Sequence, residues 1–515
     1  MRLTTEQQRA IESDAPHKRI IAVAGSGKTR VLVAQVGQWI QDGVDPSTLA
    51  VITFTRRAAE ELRVRITAEH NVLLGFCGTV HGMAYQAMAL ALDGRHRWTP
   101  LTDEETKAVI YHIARERKML SAVCSKVVKA VCGLEDLMAL QKMKATQVAL
   151  TREVMGYMRQ HRLAHVGEMV RLFLFSIRND PEMLQWIRRN AETILWDEFQ
   201  DTDSAQASLM ELIAPRRSMV VGDPAQAIYG FAGASAMHLL DRNVETFRLS
   251  YSFRSATKII DVANRQLGRA DLLAVREDEG WLDARPNDDP FPTGDNAVAK
   301  IAEAIIALRG VDHGPVTVLC RTNREIAVLR DFLKARRPDW TTIVASPGFD
   351  WYAHEPWPDL FLACRAIIAP RCDWLASAMD RIGKDWTDFL HLDPTKNNAR
   401  DVLKVLAPHW SAAIEDPALD LSILEFVSWY IRRDLESLLP VDSPDVLIMT
   451  AHAAKGLEWP SVILAGVGHS MGRTGTKNDQ EERNLLYVAI TRAKDQLALV
   501  GDSMTLLRLT GERDV

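Results

Sequence analysis

Eight consecutive residues, Ala22-Val23-Ala24-Gly25-Ser26-Gly27-Lys28-Thr29, carry the densest chemistry in this chain. An apolar run at residues 19–23 leads into them and a helix-like stretch at residues 30–40 follows. Strand, glycine loop and helix in that order make a cradle for nucleotide phosphates. Small residues let backbone N–H groups turn inward, a lysine reaches the β- and γ-phosphates, and a threonine hydroxyl ligates Mg²⁺. Lys28 and Thr29 stand at those last two positions. The common pattern has a glycine six residues before the lysine, where this chain has Ala22. A glycine-rich stretch also serves as a turn or a strand-to-helix packing device, so binding of ATP or GTP needs support from elsewhere in the chain.

Support comes from Ile194-Leu195-Trp196-Asp197-Glu198, an apolar run that ends in two carboxylates. Beside a phosphate cradle, Asp197 would hold the metal through water, and Glu198 would orient or deprotonate the attacking water. Adjacent acids after a strand also make a solvated turn; the glycine loop upstream favours the catalytic reading.

Such residues need a sheet to position them. Short β-branched runs alternate with helical stretches at residues 19–55 with 193–223, and again at 316–321 with 446–500. That alternation predicts an α/β fold with two parallel-sheet domains flanked by helices. Each is interrupted. Residues 101–190 read almost wholly as helix, opening with Thr102 and Glu105 at capping-box spacing, and residues 375–441 read as helical too.

At 515 residues, the chain is too long for one core. Its 47% apolar and 25% charged residues are those of a folded soluble protein. No apolar run approaches the roughly 18 to 20 residues that cross a bilayer, and no secretory pattern opens the chain, which predicts a cytoplasmic protein with no membrane partner. The six cysteines never fall at zinc-finger or CxxC spacing, so they read as buried thiols. A net charge of −5 supplies no global basic field, and any nucleic-acid contact must come from local patches.

Trp196-Asp197-Glu198-Phe199-Gln200-Asp201-Thr202-Asp203 resembles motif II of the UvrD/Rep/PcrA helicases, superfamily 1A, and the family's other motifs follow in its order. Residues 3–11 resemble the Q motif, and residues 22–29 match the family's own P-loop, in which alanine takes the first glycine's place. Thr53-Phe54-Thr55-Arg56-Arg57-Ala58-Ala59 resembles motif Ia, and Gly78-Thr79-Val80-His81-Gly82 is similar to the next strand-binding motif. Residues 220–231, which include Gln226, Tyr229 and Phe231, resemble motif III; Ser252-Phe253-Arg254-Ser255 resembles motif IV. Residues 450–459, from Thr450 to Trp459, resemble motif V, and residues 481–493, ending Thr491-Arg492-Ala493, match motif VI.

The resemblance implies two RecA-like P-loop domains that close on one ATP with Mg²⁺. The first would comprise residues 1–90 and 191–248, and the second residues 249–375 and 441–515. Helical insertions would occupy residues 91–190 and 376–440. Lys28, Asp197, Glu198 and Gln226 would act from the first domain, with Arg254 and Arg492 as arginine fingers from the second. Ala24, Gly25, Ser26, Gly27, Lys28 and Thr29 would hold the phosphates, and Thr29 with Asp197 the metal. Arg30 and Phe253 would sandwich adenine, Gln7 would read its edge, and Glu458 would accept from the ribose. Single-stranded DNA would stack on Phe54, Tyr229, Phe231, His81 and His452, with Arg56, Arg57, Thr79 and Thr450 near its backbone. The implied activity is an ATP-dependent 3′-to-5′ translocase and DNA helicase acting on single strands and single-strand/duplex junctions.

Five departures bear on that expectation. Phe253 replaces the usual tyrosine and keeps the stacking face. Ala232 stands where the family has arginine, which predicts weaker coupling. His165-Val166-Gly167-Glu168-Met169 replaces an acidic stretch. The second insertion is much shorter than the family's duplex-binding domain, and the chain runs only 22 residues past Ala493, leaving no room for a fused nuclease or a long partner-recruiting tail. These departures admit an alternative: an ATP-dependent, DNA-binding regulatory subunit that controls a partner such as a nuclease in a repair or phage-defence complex without unwinding DNA itself.

Overall fold

The computed structural model describes residues 3–101, 103–132, 143–293, 295–312, 315–340, 342–345, 445–473, 475 and 479–511. The expected second insertion, residues 376–440, lies outside them. One compact unit is drawn from Met1–Met83, Asp180–Ser346 and Asp442–Val515; a second contains Ala84–Asn179.

The first unit holds two sheets, each of six parallel strands, so the expected α/β fold with two RecA-like lobes is present. In the first lobe the strands are β1 (His17–Ala22), β2 (Leu49–Thr53), β3 (Phe76–Thr79), β6 (Thr193–Trp196), β7 (Arg217–Gly222) and β8 (Glu245–Leu249), in the order β3-β2-β6-β7-β1-β8. Every residue of β2 and β6 is buried, as strands covered by helices on both faces require. Ile20, Leu32, Val36, Val51, Leu195 and Met219 share one core. Because the strands run the same way, their C-terminal ends and the loops that follow lie along one edge, where α/β sheets place their ligands.

The second lobe runs β11 (Trp281–Pro286), β16 (Ala493–Gly501), β15 (Trp459–Val467), β12 (Val316–Cys320), β14 (Val446–Thr450) and β13 (Thr342–Ala345) in sheet order. One face packs under Ile301, Ile305 and Leu308 of the helix Asp295–Asp312. The opposite core, which takes in Leu485, Leu486 and Val488 of the helix Asp479–Ile490, also incorporates Val23, Ala24 and Ile228 of the first lobe. Apolar packing therefore runs from lobe to lobe beside the glycine loop. Between the lobes, β9 (Tyr251–Ser252) pairs in parallel with β10 (Leu273–Ala274).

In the second unit the helices Asp103–Glu116, Ser125–Val131 and Ala145–Gln160 close around Ile110, Val127, Leu150 and Val154. The stretch is less uniformly helical than its periodicity predicts. Leu163–His165 forms β5 against β4 (Thr99–Leu101), a pairing too short to give a readable alternation. Thr102, the expected cap, lies outside the described residues.

Candidate nucleotide site and aromatic track

The glycine loop enters the helix Lys28–Gln41 through two left-handed glycines, Gly25 and Gly27, each at φ 75°. Gly25 is required twice over, since a Cβ there would lie 2.5 Å from Ser252 Oγ and 2.7 Å from Arg254 Cβ. The loop thus rests against the segment 252–254, whose Phe253 N–H donates to Gly25 O at 2.8 Å. Gln7, buried in the helix Thr5–Glu12, completes a capping box with Thr4 and donates from Nε2 to Ser26 O at 3.0 Å. Ser26 Oγ is buried with no hydrogen-bond partner. A helix N-terminus, left-handed glycines and an orphaned hydroxyl fit a phosphate chain. Thr29 and Arg30 occupy the first turn of that helix.

Lys28 Nζ donates to Glu198 Oε1 at 2.8 Å. Burial alone would push the lysine's pKa down, but Glu198, Asp197 and Asp223 outweigh it and raise it. Asp197 and Glu198 are driven apart. Burial, then the adjacent Glu198 carboxylate, raises Asp197; for Glu198 burial is outweighed by Lys28 and Lys455, which lower it. Glu198 is thereby held ionised beside Lys28, while burial and the Glu198 charge disfavour ionised Asp197 as long as no cation stands next to it. Glu198 takes a left-handed backbone, φ 53° and ψ 39°, which costs a non-glycine residue about 1 to 3 kcal/mol. Its N–H donates to Asp197 Oδ1 at 2.9 Å, and Gln200 Nε2 donates to its Oε2 at 2.6 Å, so the conformation is held from both ends.

Gln226 sits in a short turn, Pro224–Gln226, and its Nε2 donates to Asp223 Oδ2 at 2.8 Å. From the second lobe, Arg254 pairs with Glu458, Nε to Oε2 2.6 Å, and donates from Nη1 to Thr491 O at 3.1 Å. Lys494 pairs with the same glutamate at 2.8 Å. Glu458 and Arg492 precede the neighbouring strands β15 and β16, which brings them together. Arg492 is 1% exposed and donates to Val488 O, Leu457 O and Thr491 Oγ1, all in its own lobe. Burial and the nearby Arg254 push its pKa down to about 9, which leaves it charged at neutral pH.

The aromatic residues form a track on the same edge of the sheets. Phe54 stacks on Tyr229 with centroids 4.9 Å apart; Tyr229 meets Phe231 edge-on at 6.0 Å, and Phe231 meets His452 edge-on at 5.8 Å. Phe231 is 68% exposed, whereas His452 is buried enough that burial, then Arg321, pushes its pKa down to about 4. Thr55 caps the helix Arg56–His70, which puts Arg56 and Arg57 exposed in its first turn. Thr79 and Thr450 accept from Gly82 N and Ala453 N, and so shape the loops that carry His81 and His452.

Two residues of motifs V and VI to which the sequence assigns no role, Lys455 and Tyr487, join the lobes. Lys455 Nζ ion-pairs with the buried Asp201, donates to Gln226 O at 2.7 Å and lies 4.9 Å from the Tyr229 ring centroid. Tyr487 Oη accepts from Ala24 N–H and donates to Asp223 Oδ2, both at 3.3 Å. Lys455 and Asp201 lie 254 residues apart in sequence, so their pairing carries no spacing signal. In the second unit, Asp103, Cys132 and His165 are the one group among the described residues close enough to hold a metal. Gly167 N–H donates to His165 Nδ1 at 3.1 Å, which leaves the proton on Nε2, 2.6 Å from Asp103. That is a hydrogen-bonded pair capping the 166–168 turn, and it gives His165 its place in the departure from the acidic stretch.

Two parallel-sheet lobes, one with a P-loop and paired acids and the other with arginines at its strand ends, define a RecA-like P-loop nucleotidase architecture. Residues 3–246 match the UvrD/REP helicase N-terminal domain, and residues 414–502 match the UvrD-like helicase C-terminal domain. A Staphylococcus aureus protein named ATP-dependent DNA helicase PcrA is 24% identical over 631 aligned positions, covering 98% of this chain and 84% of its own length. A Staphylococcus epidermidis protein of the same name is 23% identical over 623 positions, with the same coverage. The chain belongs to the UvrD-like helicase family.

Proposed function

We propose that this chain is an ATP-driven 3′-to-5′ translocase on single-stranded DNA that also unwinds duplex, with ATP hydrolysed between the lobes formed by residues 1–90 with 191–248 and 249–375 with 441–515. One observation carries the reading: Gln226, bonded to the Asp223 carboxylate that acts on Lys28, and Tyr229 and Phe231, in the aromatic track, belong to one short segment that both lobes grip. Nucleotide chemistry and base stacking are thereby mechanically joined. Lys28 binds the β- and γ-phosphates. Thr29 and Asp197 would hold Mg²⁺, which when bound offsets phosphate charge. Glu198 takes a proton from the attacking water as the bond between the γ-phosphorus and its bridging oxygen breaks. Arg254 and Arg492 neutralise the charge that gathers on the transferring group, an effect worth roughly 10³- to 10⁵-fold for arginine fingers. Both arginines must first exchange present partners, Glu458 for one and lobe carbonyls for the other, which makes turnover depend on lobe rearrangement. The proposed substrates, ATP and DNA, favour a cytoplasmic location.

The test is ATP turnover with and without single-stranded DNA, together with displacement of a labelled strand from duplexes bearing a 3′ or a 5′ tail. Stimulation with displacement from the 3′-tailed duplex alone is expected. Stimulation without displacement would assign unwinding to a complex with a nuclease or repair partner, and no stimulation would overturn the motor reading.

A further inference from the structure

The helix Asp479–Ile490 presents three residues at intervals of three to the segment 223–230 of the first lobe, on one side of the helix. Glu481 Oε1 accepts from Gly230 N–H at 3.1 Å, Asn484 Nδ2 donates to Pro224 O at 3.2 Å and Ala227 O at 2.9 Å, and Tyr487 Oη donates to Asp223 Oδ2 at 3.3 Å. Asn484 is central among them and 4% exposed. Gln480 Nε2 donates to Asn484 Oδ1 at 2.9 Å, which sets the carboxamide so that its nitrogen faces the two carbonyls.

We propose that Asn484 is a positioning residue for Gln226: by clasping the carbonyls on either side of the Pro224–Gln226 turn, it places the Gln226 carboxamide at a fixed distance from Arg492. The inference rests on the catalytic reading of Gln226 given above. The turn closes on itself through Gln226 N–H to Asp223 O at 2.8 Å and Ala227 N–H to Pro224 O at 3.3 Å. Those bonds set its shape; from the other lobe Lys455 holds the Gln226 carbonyl, and Asn484 holds the carbonyls of Pro224 and Ala227. The Gln226 side chain is bonded to the same Asp223 oxygen that Tyr487 reaches, so one helix holds both the backbone of the turn and the acceptor of its side chain. That helix ends at Ile490, and the turn that follows it carries Arg492 into β16. A change at the DNA-facing end of the segment would then reach Gln226 and Arg492 together.

A double-mutant cycle in the full chain tests this, with Asn484→Ala, Gln226→Ala and their combination compared in DNA-stimulated ATP turnover. Asn484→Ala should lower kcat about 5- to 20-fold, the range for losing two buried hydrogen bonds, with KM for ATP, single-strand affinity and thermal unfolding unchanged within about twofold or a few degrees. In the Gln226→Ala background the same change should cost less than about twofold. An equal loss in both backgrounds would overturn the positioning role. If Gln226→Ala alone leaves turnover at the wild-type rate, the catalytic reading of Gln226 falls, and the proposal with it. Asn484→Asp keeps the shape and removes the donor: it should be at least as slow as Asn484→Ala, and a faithful turnover by the aspartate variant would show that Asn484 acts by packing.

Discussion

Lys455→Met keeps the buried stem of the side chain and removes its charge, so its cost is set by what the ammonium leaves behind. Asp201 has no exposed side-chain surface, and burial, opposed by Lys455, pushes its pKa up to about 6 from 3.8. Keeping Asp201 ionised in the folded protein therefore already costs about 3 kcal/mol. In the variant its pKa climbs further, but protonation caps the loss: at pH 7, holding a proton that the unfolded chain has released costs about 4 kcal/mol, so the carboxylate adds about 1 kcal/mol. Gln226 O loses a charged donor, worth about 1 to 3 kcal/mol more. The sum is about 2 to 4 kcal/mol at neutral pH. An acid with a raised folded pKa loses stability as pH rises, so the difference from wild type should nearly lose its carboxylate part at pH 6 and widen by about 1.4 kcal/mol per unit above pH 7. Urea midpoints at pH 6, 7 and 8 measure this, and Lys455→Met with Asp201→Asn should flatten the profile. A loss below about 0.5 kcal/mol, or one that does not grow with pH, would refute a buried ion pair at this junction.

Lys28→Ala should abolish ATP hydrolysis, because Glu198 loses its closest cation and the phosphates their lysine; turnover within tenfold of wild type would remove the P-loop assignment. Arg492→Ala should leave nucleotide affinity near wild type and slow hydrolysis by about three orders of magnitude or more, and a fluorescent-nucleotide titration beside single-turnover kinetics separates this from a structural loss of its three carbonyl and hydroxyl contacts. His452 has a folded pKa of about 4 against 6.5 in its unperturbed state, so the neutral ring is favoured by folding: stability should fall as pH drops from 6.5 to 4 and level off below. Discounted for the ring's partial exposure, the loss is about 1 to 2 kcal/mol, and His452→Asn should remove that slope from an acid titration of unfolding.

The nucleotide half of the site was legible because its residues close apolar strands. Lys28 follows β1 and Glu198 follows β6, and parallel pairing brings such strand ends to one edge although 170 residues separate the two. The aromatic track was legible only through the family motifs, since Phe54, Tyr229, Phe231 and His452 have no common spacing and each alone reads as core. What the residues could not announce were contacts made to backbone. Asn484 looks like an ordinary polar residue on a helix, yet its partners are two carbonyls some 260 positions away, and a carbonyl has no letter in a sequence. The same blindness affects the expectation drawn from Ala232. Loss of an arginine there predicts weaker coupling through the bound strand. The segment's contacts with the second lobe lie at other positions: the Gly230 N–H held by Glu481, the Gln226 carbonyl held by Lys455 and the turn held by Asn484. A side-chain deletion at 232 leaves all three intact, so the coupling should be governed by second-lobe residues that a reading of the segment's own side chains leaves out.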